Sequence, residues 1–142
     1  MKVMMNPTDT QLLERLREGK TIAVPTIGQS MFPFILGGRD KVLVHKLDRV
    51  NIGDIVMASY RGTMILHRVY AIEGSRLILM GDGNLQGTEV VDKSEVYGTA
   101  IEIIKSNGRF RKPHKAWLWR HSLPFRGVML KICRKWYKLM ES

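Results

Sequence analysis

A single cysteine, Cys133, is all the chain has. That excludes an intramolecular disulfide, so packing and hydrogen bonds must hold the fold. One Cys and four scattered His also give no metal-ligand spacing. No metal or other cofactor is expected. No apolar run approaches the ~18 residues of a membrane-spanning helix. The opening, MKVMMNPTDTQLLERLREGK, lacks the apolar stretch of a secretory signal. A cytoplasmic chain, at most peripherally attached to a membrane, is therefore expected. Acids are scarce at one end. Residues 105–142 hold eleven Lys and Arg against one acid, Glu141, which accounts for the whole net charge of +10. Residues 1–104 are neutral, with twelve bases and twelve acids.

What is present suits one compact domain with a small appendage. The chain has 142 residues, of which 44% are hydrophobic, enough for a core and against wholesale disorder. The composition shift divides it into a body, residues 1–108, and a basic aromatic tail, residues 109–142, that carries all three Trp. Thr8 to Glu18 reads as a short helix, with Leu12, Leu13 and Leu16 on one face and Gly19 as its stop. Six strand-like runs follow: 21–24, 41–46, 54–60, 63–73, 76–81 and 96–104. The turn signals GGRD, NIGD, RGT, EGS and GDGN lie between them. The pattern predicts a mainly β, coiled antiparallel sheet. In the tail, Phe125, Val128, Met129, Ile132, Cys133, Trp136 and Leu139 recur at helical spacing. Arg126, Lys131, Arg134, Lys135 and Lys138 fill the other side, which predicts a basic amphipathic helix starting near Ser122–Pro124.

The stretch VPTIGQSMFPFI fixes Ser30 on a turn between Gly28 and Pro33. A serine hydroxyl is a weak nucleophile unless a base lies within hydrogen-bonding reach. Among His45, His67, His114 and His121, His67 is the best placed, because it interrupts the apolar strand MILHRVYAI. A histidine base works best with an acceptor that fixes its tautomer. Asp82, in the GDGN turn after a strand, is one candidate and Asp92, in VVDKSE, the other. Asp40 and Asp54 read as structural turn residues.

The stretches IGQSMFPFILGGRD, NIGDIV, ILHRV and LILMGDGN, in that order, resemble the successive signature boxes of the type I signal peptidases and the wider S24/S26 serine peptidase clan, which includes self-cleaving repressor domains. The resemblance runs from about Val24 to about Gly98. It implies a coiled β-sheet peptidase domain with Ser30 as nucleophile. His67 stands where most bacterial members have lysine, which is similar to the Ser-His branch, and Asp82 matches the aspartate of its GD-N box. Gly28 stands where many bacterial relatives have a serine that donates to the oxyanion. Processing members usually carry an N-terminal membrane anchor, which this sequence does not display. The implied activity is a serine endopeptidase that removes a leader or signal-like segment from a cytoplasmic or membrane-apposed polypeptide. The alternatives are a catalytically idle β domain that binds through its tail, or a repressor-type self-cleaving domain. The latter is disfavoured by His67 and by the short stretch before Ser30.

For the tail itself, three roles stay open. It lies on an anionic membrane surface, it binds nucleic acid, or its apolar face packs on the body. Nucleic acid is the least favoured.

Overall fold

The computed structural model describes residues 1–5 and 9–141. Thr8, where the first helix is expected to begin, lies outside the described residues. The elements, in chain order, are β1 (Lys2–Val3), α1 (Thr10–Arg17), β2 (Ile22–Ile27), β3 (Lys41–His45), β4 (Ile55–Tyr60), β5 (Thr63–Glu73), β6 (Arg76–Met80) and β7 (Glu89–Asp92). Then come β8 (Val96–Ile104), β9 (Phe110–Arg111), α2 (Trp117–Arg120) and α3 (Arg126–Glu141). The protein is mainly β, with a short N-terminal helix and a C-terminal helix.

Among the described residues the nine strands form one antiparallel sheet, ordered β1-β2-β3-β8-β4-β5-β6-β7, with β9 added beside β8. β1 also pairs with β5, which closes six of the strands into a ring. Alternation explains the closure. In β2, Ile22 and Val24 point inward while Ala23 and Pro25 face out. Inside the ring, Val42, Val44, Ile55, Met57, Met64 and Leu66 pack with Met31 and Ile35 from the loop after β2. Leu13 and Leu16 of α1 join the same cluster. Full burial of each such side chain contributes about 1.5–3 kcal/mol, so this apolar filling is what drives closure. The Asp9 carboxylate caps α1 by accepting the Leu12 N–H, and Gly19 ends it at φ +82°.

A second cluster lies on the opposite face, where Val56, Ile65, Val69, Leu77, Leu79 and Val91 gather from β4 to β7. β5 is thus buried on both faces from Met64 to Val69. Consecutive residues of this strand can serve two separate interiors. Its two hairpins turn where RGT and EGS stand, with φ +49° at Arg61, +76° at Gly62 and +62° at Gly74.

The strands β1, β7 and β9 were not expected from sequence. β9 draws the first residues of the tail, Phe110–Arg111, into the sheet. Further tail residues are tied to the body as well. The Trp119 indole donates to the Asp82 carbonyl at 2.9 Å, and the buried Arg126 guanidinium donates to the Tyr70 hydroxyl and the Trp119 carbonyl, each at 2.7 Å. The amphipathic helix begins at Arg126, two residues beyond Pro124. The intervening residues Leu123–Phe125 form a 3-10 turn, and the Ser122 hydroxyl donates to the Trp119 carbonyl instead of capping it. No helix among the described residues is long and apolar enough to cross a membrane.

Candidate active site

Ser30 follows β2 on a turn whose tightness is set by glycine. A Cβ on Gly81 would come within 2.3 Å of the Ser30 carbonyl oxygen, and one on Gly83 within 2.6 Å of the Gln29 carbonyl oxygen. The GDGN loop therefore lies flat against the serine turn, and the Gly83 N–H donates to the Ser30 carbonyl at 2.7 Å. Gly28, at φ +92°, lets the chain leave β2 at this angle. Met31 anchors the other side, fully buried in the ring.

His67 reaches the same place from β5. Its Nε2 lies 2.9 Å from Ser30 Oγ, and its Nδ1 lies 3.0 Å from a carboxylate oxygen of Glu89. The imidazole is buried and the Glu89 side chain is 17% exposed, so the pair is mostly shielded from water. An ionised Glu89 takes the Nδ1–H as a hydrogen bond. Nε2 is then left as acceptor for the Ser30 hydroxyl, the arrangement a serine nucleophile needs.

Sheet register explains why Glu89 is the acid that arrives. Glu89 is in register with Leu79, and Leu79 with Val69, two residues past His67. Side chains two apart share a face, so His67 and Glu89 project to the same side of the sheet. Arg68 projects to the other. It meets Asp82 there in a bidentate pair, with Nε 2.9 Å from one carboxylate oxygen and Nη2 2.7 Å from the other. Both side chains are essentially without exposure. Arg68 also donates to the carbonyls of Gly53 and His114, at 2.8 and 2.7 Å.

The expected role of Asp82 as the group orienting His67 is thus corrected: its carboxylate is committed to Arg68. Asp92 is not at the site either. It caps the 3-10 turn Lys93–Glu95 by accepting the Ser94 N–H at 3.0 Å, and hydrogen bonds from Ser94 hold its carboxyl below the usual range. Asp40 and Asp54 are turn residues, accepting the N–H groups of Leu36 and Asn51, each at 2.8 Å. The other histidines have their own contacts. His45 lies 3.0 Å from the Thr21 hydroxyl, the His114 ring accepts the Ala116 N–H, and His121 bonds the Trp117 carbonyl.

Sequence reasoning missed Glu89. The available signal was the alternating EVVD run, which reads as one more strand of the meander. Only its last residue, Asp92, drew attention.

A further group occupies the site. The Met1 nitrogen contacts both Ser30 Oγ and, at 2.6 Å, His67 Nε2. β1 places it there, because Lys2 pairs with Ile27 of β2 on one side and Ile65 of β5 on the other. Burial pushes the Met1 α-amine down from its ordinary 8.0 to about 6, with the Glu89 carboxylate opposing that shift and Lys2 adding to it.

Compared with known proteins, the chain matches no family model and no curated sequence.

Proposed function

We propose that the chain is a serine endopeptidase that cuts a leader or signal-like segment from a polypeptide. The observation that carries this reading is the alignment Ser30 Oγ–His67 Nε2–Glu89, with contacts of 2.9 and 3.0 Å. The ordered boxes around Ser30, His67 and Asp82 that resemble the signal peptidase clan support it further.

In this mechanism His67 takes the Ser30 proton as Oγ attacks the scissile carbonyl. His67 then passes the proton to the leaving amine, and the acyl group stays on Ser30 as an ester. Water, deprotonated by His67, releases the acid product and restores the hydroxyl. Glu89 holds the ring and balances the imidazolium. The Ser30 N–H donates to the developing oxyanion, and removing one such donor typically costs ~3 kcal/mol of barrier. Asp82 takes no part in the proton transfer, its carboxylate being held by Arg68. For a substrate to enter, the first residue of β1 must withdraw from Ser30.

Labelling with a small fluorophosphonate tests this. Ser30 should be modified in the native chain, and His67→Ala should lose modification while keeping its fold. Equal labelling in His67→Ala would remove the imidazole from the mechanism. The competing reading, an idle β domain, draws on the Met1 nitrogen that fills the site. It predicts no labelling at any pH.

A further inference from the structure

The helix α3 exposes apolar side chains that the fold leaves unused. At 3.6 residues per turn its surface divides into three sectors. The first, Arg126, Leu130, Cys133 and Tyr137, faces the body, where Leu130 is buried against Phe32, Leu36 and Trp119. The second, Lys131, Arg134, Lys135 and Lys138, is cationic. The third, Val128, Ile132 and Trp136, spans an arc of about 80°. It is apolar and faces solvent, at 63%, 54% and 65% exposure. An amphipathic helix normally spends its apolar face on its own core. Here the core takes one sector and a second apolar sector remains outside. Phe125 and Trp117, at 69% and 61% exposure, add exposed aromatic surface just before the helix.

Charge indicates what covers this face. The excess of +10 lies wholly in residues 105–142, and the one acid there, Glu141, is bound to Arg39. A second copy of the chain would bring like charge against like charge. A nucleic acid would satisfy the cationic sector and leave Val128, Ile132 and Trp136 in water. A surface that offers anionic headgroups beside acyl chains satisfies both sectors together. The helix, with 16 residues, fits lying in the plane of such a surface.

We propose that α3 is an in-plane docking helix for an anionic lipid bilayer, with Val128, Ile132 and Trp136 entering the acyl boundary and Lys131, Lys135 and Lys138 meeting the headgroups. This goes beyond the peptidase reading and does not depend on it. On the body-facing side of α3, Arg134, Tyr137 and Lys138 wall a cleft of about 300 Å³ whose other side includes Phe32, Leu36 and Gln29, the residue before Ser30.

The test is co-sedimentation of the full chain with vesicles of mixed phosphatidylglycerol and phosphatidylcholine, and with pure phosphatidylcholine. Binding is expected to the anionic vesicles, with tryptophan quenching by brominated acyl chains. The double variant Ile132→Ser/Trp136→Ser should lower partitioning about tenfold or more, as should Lys131→Glu/Lys135→Glu. Both pairs are exposed, so circular dichroism and thermal unfolding should match the parent. Three results would each overturn the proposal. One is no vesicle binding by the folded parent chain. Another is binding that Ile132→Ser/Trp136→Ser leaves unchanged. The third is stronger, salt-sensitive binding to duplex DNA that the apolar variant retains. Loss of fluorophosphonate labelling with vesicle binding intact would strike the peptidase reading alone.

Discussion

The His67 ring nitrogen Nδ1 stands 3.0 Å from Glu89, while the next residue in the strand, Arg68, points the other way to a different carboxylate. Two acids near one strand therefore have separate tasks, and substitutions separate them. Glu89→Gln keeps the size of the side chain and removes the charge that fixes the ring tautomer. The expected result is a fall in the Ser30 labelling rate by about 100-fold or more. The melting temperature should stay close to the parent, since the glutamine amide oxygen can still accept the His67 Nδ1–H and leaves no buried donor unpaired. Stopped labelling assays beside thermal unfolding check both halves. An unchanged labelling rate would remove Glu89 from the site.

Asp82→Ala should do the reverse. It leaves the Arg68 guanidinium buried with only the Gly53 and His114 carbonyls to bond. Breaking a buried ion pair from one side costs about 3–5 kcal/mol, because the remaining charge has no counterion. Urea unfolding should show a loss of that size. The fraction still folded should label at Ser30 within a small factor of the parent. A variant as stable as the parent, with labelling abolished, would restore Asp82 to the chemistry.

Which parts of this were legible in the sequence follows from how each signal arises. Strands with strong alternation or long apolar runs, such as 63–73 and 96–104, match β5 and β8 because local pattern and burial agree. Ser30 stands out because it sits on a turn between Gly28 and Pro33, and His67 because it interrupts an apolar strand; the order of the boxes that contain them is what joins the two. Glu89 was not legible, because its position is set by register across three strands, and register is not local. Asp82 misled for the same reason: its neighbour in sequence space was the GDGN turn, while its neighbour in space is Arg68. β1 and β9 have two residues each and carry no readable period. In the tail the apolar positions 125–139 read as one stripe. The fold divides them, sending Met129 and Cys133 toward the body and leaving Val128, Ile132 and Trp136 outside.

Gly81 offers a test of how the nucleophile is held. Its backbone lies in an ordinary region, so an added methyl brings no torsional penalty. The cost is wholly steric, a Cβ 2.3 Å from the Ser30 carbonyl oxygen and 3.0 Å from the Ser30 Cβ. Something must shift, and backbone on both sides leaves the serine turn as the part that moves. Gly81→Ala should destabilise by about 1–3 kcal/mol, as overpacking does. It should also slow labelling by more than Gly108→Ala, where a Cβ meets nothing within 4 Å. Gly108 has φ +84° in the turn between β8 and β9, so its substitution supplies a strained control outside the site. Equal labelling in the two variants would show that the loop does not position the nucleophile.

The Met1 amine makes the closing of the site depend on pH. Its value falls from 8.0 when free to about 6 when docked, chiefly through burial, with Glu89 opposing and Lys2 adding. Above pH 8 the amine is neutral in both states, and docking of β1 carries no proton penalty. As pH falls from 8 toward 6, the free amine takes up a proton that the docked one resists, so docking weakens across this window. Below about 6 both forms are protonated and the loss levels off, at up to about 2.7 kcal/mol. Exchange of the Leu66 amide, which donates to the Met1 carbonyl at 3.0 Å, reports on the docked strand. Its protection, corrected for intrinsic exchange, should drop between pH 8 and 6 while that of Val44 and Ala100, paired between β3 and β8, stays constant. Acetylating the Met1 nitrogen removes the titrating group and should abolish the dependence. Protection of Leu66 that rises on acidification would mean that the amine docks in its charged form, with Glu89 outweighing burial.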